Sequence, residues 1–344
     1  MDDGTMVAAD AAPEAPPLIP YGWLRALLCV ILWVSGLIGL TVVAAVGVGI
    51  YVGATGGEPP SAEAFQDLSS LGLGILALVQ VVTFALTLAV VWPLRWLFDR
   101  RSLVSLGLTL RGYGAHLAQG LAWGAGLIVF GFVVLMASGA LAVTADHDAI
   151  SLPLFLGYLA VLVLVSLNEE LLIRGYILSN LMESFSGWLA LLISALVFAA
   201  FHLFNANLSV LSVVNLVLAG LVLGVYYLHR RNLWFSIGMH LTWNLFQGPV
   251  FGFEVSGLKT PSLIGQTVDG SDLLTGGEFG LEGSLLTTFF LIIATAVIHL
   301  QFRGSPPAGM HSSGTGVAPE RIDTKQKEES DHGSQVRDLP GQEG

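Results

Sequence analysis

Residues Ser166–Ile177 read SLNEELLIRGYI. Two adjacent glutamates, Glu169 and Glu170, and an arginine, Arg174, lie inside a run otherwise apolar enough to span a membrane. Each charged side chain at the bilayer centre costs about 2.5–3.5 kcal/mol or more, so these charges need partners or a purpose. Residues four apart on a helix share a face, whereas neighbours diverge by about 100°. Glu170 and Arg174 are therefore placed to pair. Glu169 points elsewhere, with no such partner nearby in sequence.

The surrounding chain is that of a membrane protein. Of its 344 residues, 54% are hydrophobic and only 11% charged, with a mean hydropathy of +0.74; soluble proteins carry about 25% charged residues. Apolar runs of about 20 residues mark bilayer-spanning helices. Eight are expected, at about 23–52, 71–97, 116–142, 153–179, 187–204, 208–228, 233–250 and 283–302, giving an all-α polytopic fold in the cell membrane. The three-residue link Asn205–Asn207 after the short fifth run suggests helices clustered around a cavity. The formal net charge of −11 sits in loops and tails, and no basic cluster supports nucleic-acid binding. The single cysteine, Cys29, excludes an intrachain disulfide and any cysteine-based metal site.

Composition divides the chain into a disordered N-terminal segment (1–20), accessory spans (21–152), a polar-containing core (153–250), a loop with the last span (251–302) and a disordered tail (303–344). Orientation follows from basic residues in short loops. With the N-terminus inside, cytoplasmic segments hold Arg25, Arg95, Arg100, Arg101, Arg111, Arg230, Arg231 and Arg303. The opposite loops hold Lys259 alone, beside Glu58, Glu63, Asp67, Asp146, Asp148 and Glu254. Eight spans then place both termini in the cytoplasm. No internal repeat of the kind common in transporters is evident.

Two further pairs repeat the four-residue spacing: Phe198 and His202 in VFAAFHLFN, and His240 and Asn244 in IGMHLTWNLF. Polar groups in membrane helices face the bundle interior or a water-filled cavity, so Glu169, His202, His240 and Asn244 converge if these faces turn inward. A carboxylate beside a histidine can take a proton from water and make it a nucleophile. A second imidazole and a carboxamide can stabilise an oxyanion. Simpler readings stand beside this one: Glu170–Arg174 as a packing ion pair, and the histidines and Asn244 as interhelical hydrogen bonds. Asn215 reads as a packing amide, His229 as an interfacial histidine, and Trp188, Trp234 and Tyr226 as aromatic belts. No G-x-S-x-G elbow supports a serine mechanism.

The motifs EELLIR (Glu169–Arg174), FAAFH (Phe198–His202) and HLTWN (His240–Asn244), in this order and on separate spans, resemble those of the CPBP family. That family comprises type II CAAX prenyl proteases and bacteriocin-processing or Abi-type intramembrane proteases. The resemblance covers about residues 153–250. It implies an intramembrane endopeptidase in which Glu169 and His202 activate water, His240 and Asn244 form the oxyanion site, and Glu170, Arg174 and Phe198 support them. The implied partner is a peptide or membrane-protein substrate, prenylated or not, within membrane lipid.

Glu169, His202 and His240 could also make a three-ligand zinc site. A metal-free mechanism is favoured because partners for the far ring nitrogens look scarce once Glu170 is paired with Arg174. The water-filled cavity is expected to open to the cytoplasm. By residue count Glu169 lies in the inner half of its span and His202 at the outer end of its own, which requires a fifth helix that tilts or stops short. The alternative class is a non-enzymatic scaffold or a transporter-like protein binding an ion or peptide through the same groups.

Overall fold

A computed structural model describes residues 16–56, 72–145, 147 and 149–304. Helices fill all eight expected intervals, and the chain is an all-α polytopic membrane protein. The helices are α1 (Gly22–Thr55), α2 (Gly72–Pro93), α3 (Gly114–Ala137), α4 (Leu152–Glu170), α5 (Gly187–Phe201), α6 (Val210–Arg230), α7 (Trp234–Leu245), the one-turn α8 (Asp272–Thr275) and α9 (Leu285–Phe302). Among the described residues, six segments are long and apolar enough to cross a membrane, Gly72–Phe98 and Leu152–Leu181 being two of them. The expected fifth and seventh spans are shorter helices of 15 and 12 residues. Wide π-helical turns prolong α2 over Leu94–Phe98, α4 over Leu171–Leu178 and α7 over Phe246–Val250.

Several boundaries differ from the sequence reading. The third span was expected to run to residue 142, but α3 stops at Ala137, where Gly139 turns left-handed (φ +74°). The chain then forms strand β1 (Leu141–Thr144), antiparallel to β2 (Gly265–Val268), with Leu141 opposite Val268. The short link after the fifth span is in fact residues 202–209, ending in a Ser209/Ser212 capping box at the start of α6. Tyr226 does not belong to an aromatic belt. It is fully buried, and its hydroxyl lies 2.9 Å from His116 Nδ1. The segments expected to be disordered lie outside the described residues except for 16–20 and 303–304. Residues 16–20 are coil, with Leu18 N donating to Phe98 O at 2.8 Å.

Two features position the site. Every residue of α4's continuation, Leu171–Leu181, is buried, as expected of a helix that is hydrophobic all round and runs through the bundle centre. α3 and α7 pack backbone to backbone through Gly120 and Gly124. A Cβ at Gly120 would come within 2.0 Å of Phe235 O, and one at Gly124 within 2.1 Å of Met239 O. Small residues spaced by four are the usual means of close approach between membrane helices.

The two ends of the bundle differ. At one end Asp99, fully buried, accepts from Arg25 at 2.7 Å and from Arg95 at 2.8 Å. Arg25 also pairs with Glu183, which accepts from Arg101 at 2.6 Å. Leu233 N donates to Gly107 O, and Arg230 lies over the Phe302 ring, so the ends of α2, α6 and α9 and the start of α7 all gather here. Burial alone would raise the Glu183 pKa, but the hydrogen bonds and charges of Arg25 and Arg101 outweigh it and hold the carboxyl below the usual glutamate range. The opposite end carries the β1–β2 strand pair, the turn 202–209 and the long loop before α9. There Asn205 donates to Ser256 O, and Asn215 donates to Glu282 O and Ser284 O.

Candidate functional site

Glu169 is the next-to-last residue of α4, and the wide turns begin two residues later, at Leu171. Such π-turns are common at functional sites because they re-aim side chains without breaking the helix. Across this junction the four-residue pairing holds: Arg174 Nη1 donates to Glu170 Oε1 at 2.9 Å, both side chains fully buried. His202 caps α5 one residue beyond its end. A helix of 15 residues is about 22 Å long, short of the ~30 Å hydrocarbon layer. That shortness brings His202 to the level of Glu169 and resolves the mismatch in residue count.

Glu169 Oε2 lies 3.9 Å from His202 Nε2 and 3.8 Å from His240 Nε2. It has no hydrogen-bond partner among the described residues. His202 Nδ1 is 2.8 Å from Phe198 O. A carbonyl can only accept, so Nδ1 carries the proton and the Nε2 lone pair faces Glu169. His240 Nδ1 is 3.0 Å from Glu170 Oε1. Because that carboxylate already accepts from Arg174, His240 too donates through Nδ1 and presents Nε2 to the centre. With neutral imidazoles, three acceptors face one another, an arrangement that suits a molecule supplying protons, such as water.

Phe198 connects the three motifs. Its carbonyl fixes His202, its ring lies 4.5 Å beneath the Arg174 guanidinium, and it meets the His240 ring edge-on at 6.4 Å. Cation–π contacts of this kind contribute about 2 kcal/mol when desolvated. Arg174 also donates to Gly220 O at 3.3 Å, which ties α6 to the pair.

Glu169, His202, His240 and Asn244 all line one cavity of about 610 Å³. Sequence reading missed other parts of its wall. Trp33, stacked on Phe201 at 4.9 Å and donating to Thr87 Oγ1 at 2.8 Å, comes from α1. Gln80 and Thr83 come from α2, and their three-residue spacing in an apolar span was a readable signal. Glu282 gave none. Its carboxylate accepts from Trp243 Nε1 at 3.0 Å and from Ser256 N and Oγ at 2.7 Å each, pinning a roof turn over the cavity. Gly257 in that turn has φ +84°, and a Cβ there would meet Ala206 O at 2.4 Å. Only glycine fits where the roof meets the turn behind His202.

A zinc ion with ligands at 2.0–2.2 Å holds its donors about 3.3 Å apart in a tetrahedron. The separations of 3.8 and 3.9 Å here are wider. Among the described residues no group of three or more His, Cys, Asp or Glu is arranged to hold a metal. As placed, the residues do not fit zinc. Partners for the far ring nitrogens, expected from the sequence to be scarce, are nevertheless present, since both are engaged: His240 Nδ1 by Glu170 and His202 Nδ1 by Phe198 O.

Residues 151–246 match the family model described as Rce1-like, type II CAAX prenyl endopeptidase Rce1-like. No curated protein and no solved structure matches the chain. The matched segment contains all three motifs, the α4 junction and both histidines, and over it the chain is similar to the membrane proteases of the CPBP family.

Proposed function

We propose that this chain is a multi-pass intramembrane endopeptidase of the cell membrane, with both termini cytoplasmic, which hydrolyses a peptide bond by water activated between Glu169 and His202. The observation that carries the reading is the meeting of Glu169 Oε2 with two imidazole Nε2 atoms in one cavity. Water lying across Glu169 and His202 loses a proton to that pair as its oxygen attacks the carbonyl carbon. The same pair returns the proton to the leaving amine. The oxyanion is held by the Asn244 carboxamide and by His240. His240 can donate there through Nε2 only as an imidazolium. Glu170, Arg174 and Phe198 hold the imidazoles in register.

The match of residues 151–246 to a protease family model speaks against the scaffold and transporter-like readings. Prenylated and unprenylated peptides both remain within the proposal. The test is mass-spectrometric detection of peptide products from membrane-protein and CAAX-tailed reporters incubated with purified full-length chain. Cleavage by the wild type and none by His202→Ala supports the reading. Equal cleavage by both removes it.

A further inference from the structure

We propose that the catalytic cavity opens on the extracytoplasmic side of the membrane, so that the substrate is a peptide segment presented from that side. This rests on the peptidase reading and adds the direction from which the peptide arrives. The cavity has a sealed end and an open one. Towards the arginine end its last lining residues are Ile173 on α4, Leu223 on α6 and Met239 on α7. Beyond them on the same helices come Tyr176, Leu178, Tyr226, Tyr227 and Phe235, each no more than 1% exposed. These side chains fill the space between the cavity and the Arg25–Asp99–Arg95 network, and Tyr176 reaches Asp99 itself at 3.4 Å.

At the other end the lining continues through Phe204–Ala206 and Val255–Leu258. Phe204 is 97% exposed. A wider basin of about 1290 Å³ lies beside this mouth, lined by Asn207, Ser209, Glu254 and Lys259 among others. Water therefore reaches the mouth from the end that carries the β1–β2 strand pair.

Charge tells which side of the membrane that is. Arg25, Arg95, Arg100, Arg101, Arg111, Arg230, Arg231 and Arg303 flank helix ends at the sealed side, whereas Lys259 is the one basic residue described at the mouth side. An excess of Lys and Arg in short loops marks the cytoplasmic face, and acidic neighbours such as Asp99 and Glu183 weaken the rule little. The sealed end is cytoplasmic. A cytoplasmic mouth, expected from the sequence, is incompatible with cytoplasmic termini in this architecture. A prenylated tail anchored in the inner leaflet would meet the sealed end.

The test is thiol labelling with a membrane-impermeant maleimide, in sealed right-side-out and inverted vesicles from cells expressing the full chain. Cys29 is the single cysteine and is fully buried, so the wild type is the blank. Phe204→Cys and Asn207→Cys report the mouth, and Ser102→Cys and Leu110→Cys report the arginine end; detergent-solubilised protein should label at all four. We expect the mouth pair to label at least tenfold faster in right-side-out vesicles and the other pair at least tenfold faster in inverted ones. The reverse pattern, or equal labelling of the mouth pair in both, overturns the proposal. Labelling needs no peptidase activity, so either result leaves the peptidase reading standing, and failure of that reading leaves the labelling pattern unchanged.

Discussion

Glu170 Oε1 receives two hydrogen bonds, from Arg174 Nη1 at 2.9 Å and from His240 Nδ1 at 3.0 Å, while its neighbour Glu169 aims the other way at the Nε2 face of the same imidazole. Adjacent glutamates thus grip one histidine from opposite sides. One carboxylate holds the structure and the other stands in the cavity.

Removing the holding carboxylate should cost stability. Glu170→Ala strands Arg174, whose side chain is fully buried, and leaving a buried charge unpaired typically costs about 3–5 kcal/mol. Thermal unfolding in detergent should show a large fall in Tm together with lost yield. A variant as stable as wild type would mean that Arg174 finds another acceptor.

The α3–α7 contact should transmit to the site. Gly124→Val places a side chain against Met239 O and Thr242 Oγ1, forcing apart the helix that carries His240 and Asn244. Overpacking costs typically 1–3 kcal/mol, so the chain should still fold with reduced Tm, and peptide cleavage should fall further than stability does. Unchanged cleavage would show that α7 does not depend on α3 for its position.

The arginine end should be acid-sensitive through Glu183. Its folded pKa lies below the ordinary ~4.3, held down by Arg25 and Arg101. A depressed carboxylate contributes stability that is fully present above the unfolded pKa and is lost as pH falls through the folded one. The wild type should therefore lose Tm more steeply below about pH 4.3 than Glu183→Gln, whose Tm is lower at neutral pH. Parallel pH profiles would remove Glu183 from the account.

Much of this was readable from sequence, for reasons that also mark where reading stops. The charges in SLNEELLIRGYI pointed to the candidate site because the cost of ions in a bilayer leaves few explanations, and the four-residue spacing predicted the Glu170–Arg174 pair. The second hydrogen bond of Glu170, to His240, was not readable. It joins residues 70 apart in sequence through packing that no local period encodes. Arg95 was legible only as a cytoplasmic basic residue and Asp99 not at all, because nothing local says that a helix end folds inward to bury them. Glu282 and Ser256 lie in a loop without periodicity, so the cavity roof was invisible. Tyr226 was misread because an aromatic near a helix end suits an interface as well as a core.

The metal question has its own outcome. With donor separations wider than a zinc tetrahedron, peptide cleavage should persist after dialysis against a strong chelator, and added zinc should not raise it. Activity abolished by chelation and restored by stoichiometric zinc would show that the three side chains close in around an ion.

Glu169→Gln tests the division between the two glutamates most directly. The substitution keeps size and hydrogen-bonding capacity but removes the base, at a carboxylate whose Oε2 makes no hydrogen bond among the described residues. The measurement is peptide cleavage and Tm on the same purified preparation. General-base loss costs typically ~10²–10⁴ in rate, so cleavage should fall by at least about a hundredfold while Tm stays within a few degrees of wild type. Retained cleavage, or a fall in Tm as large as that of Glu170→Ala, would contradict the account.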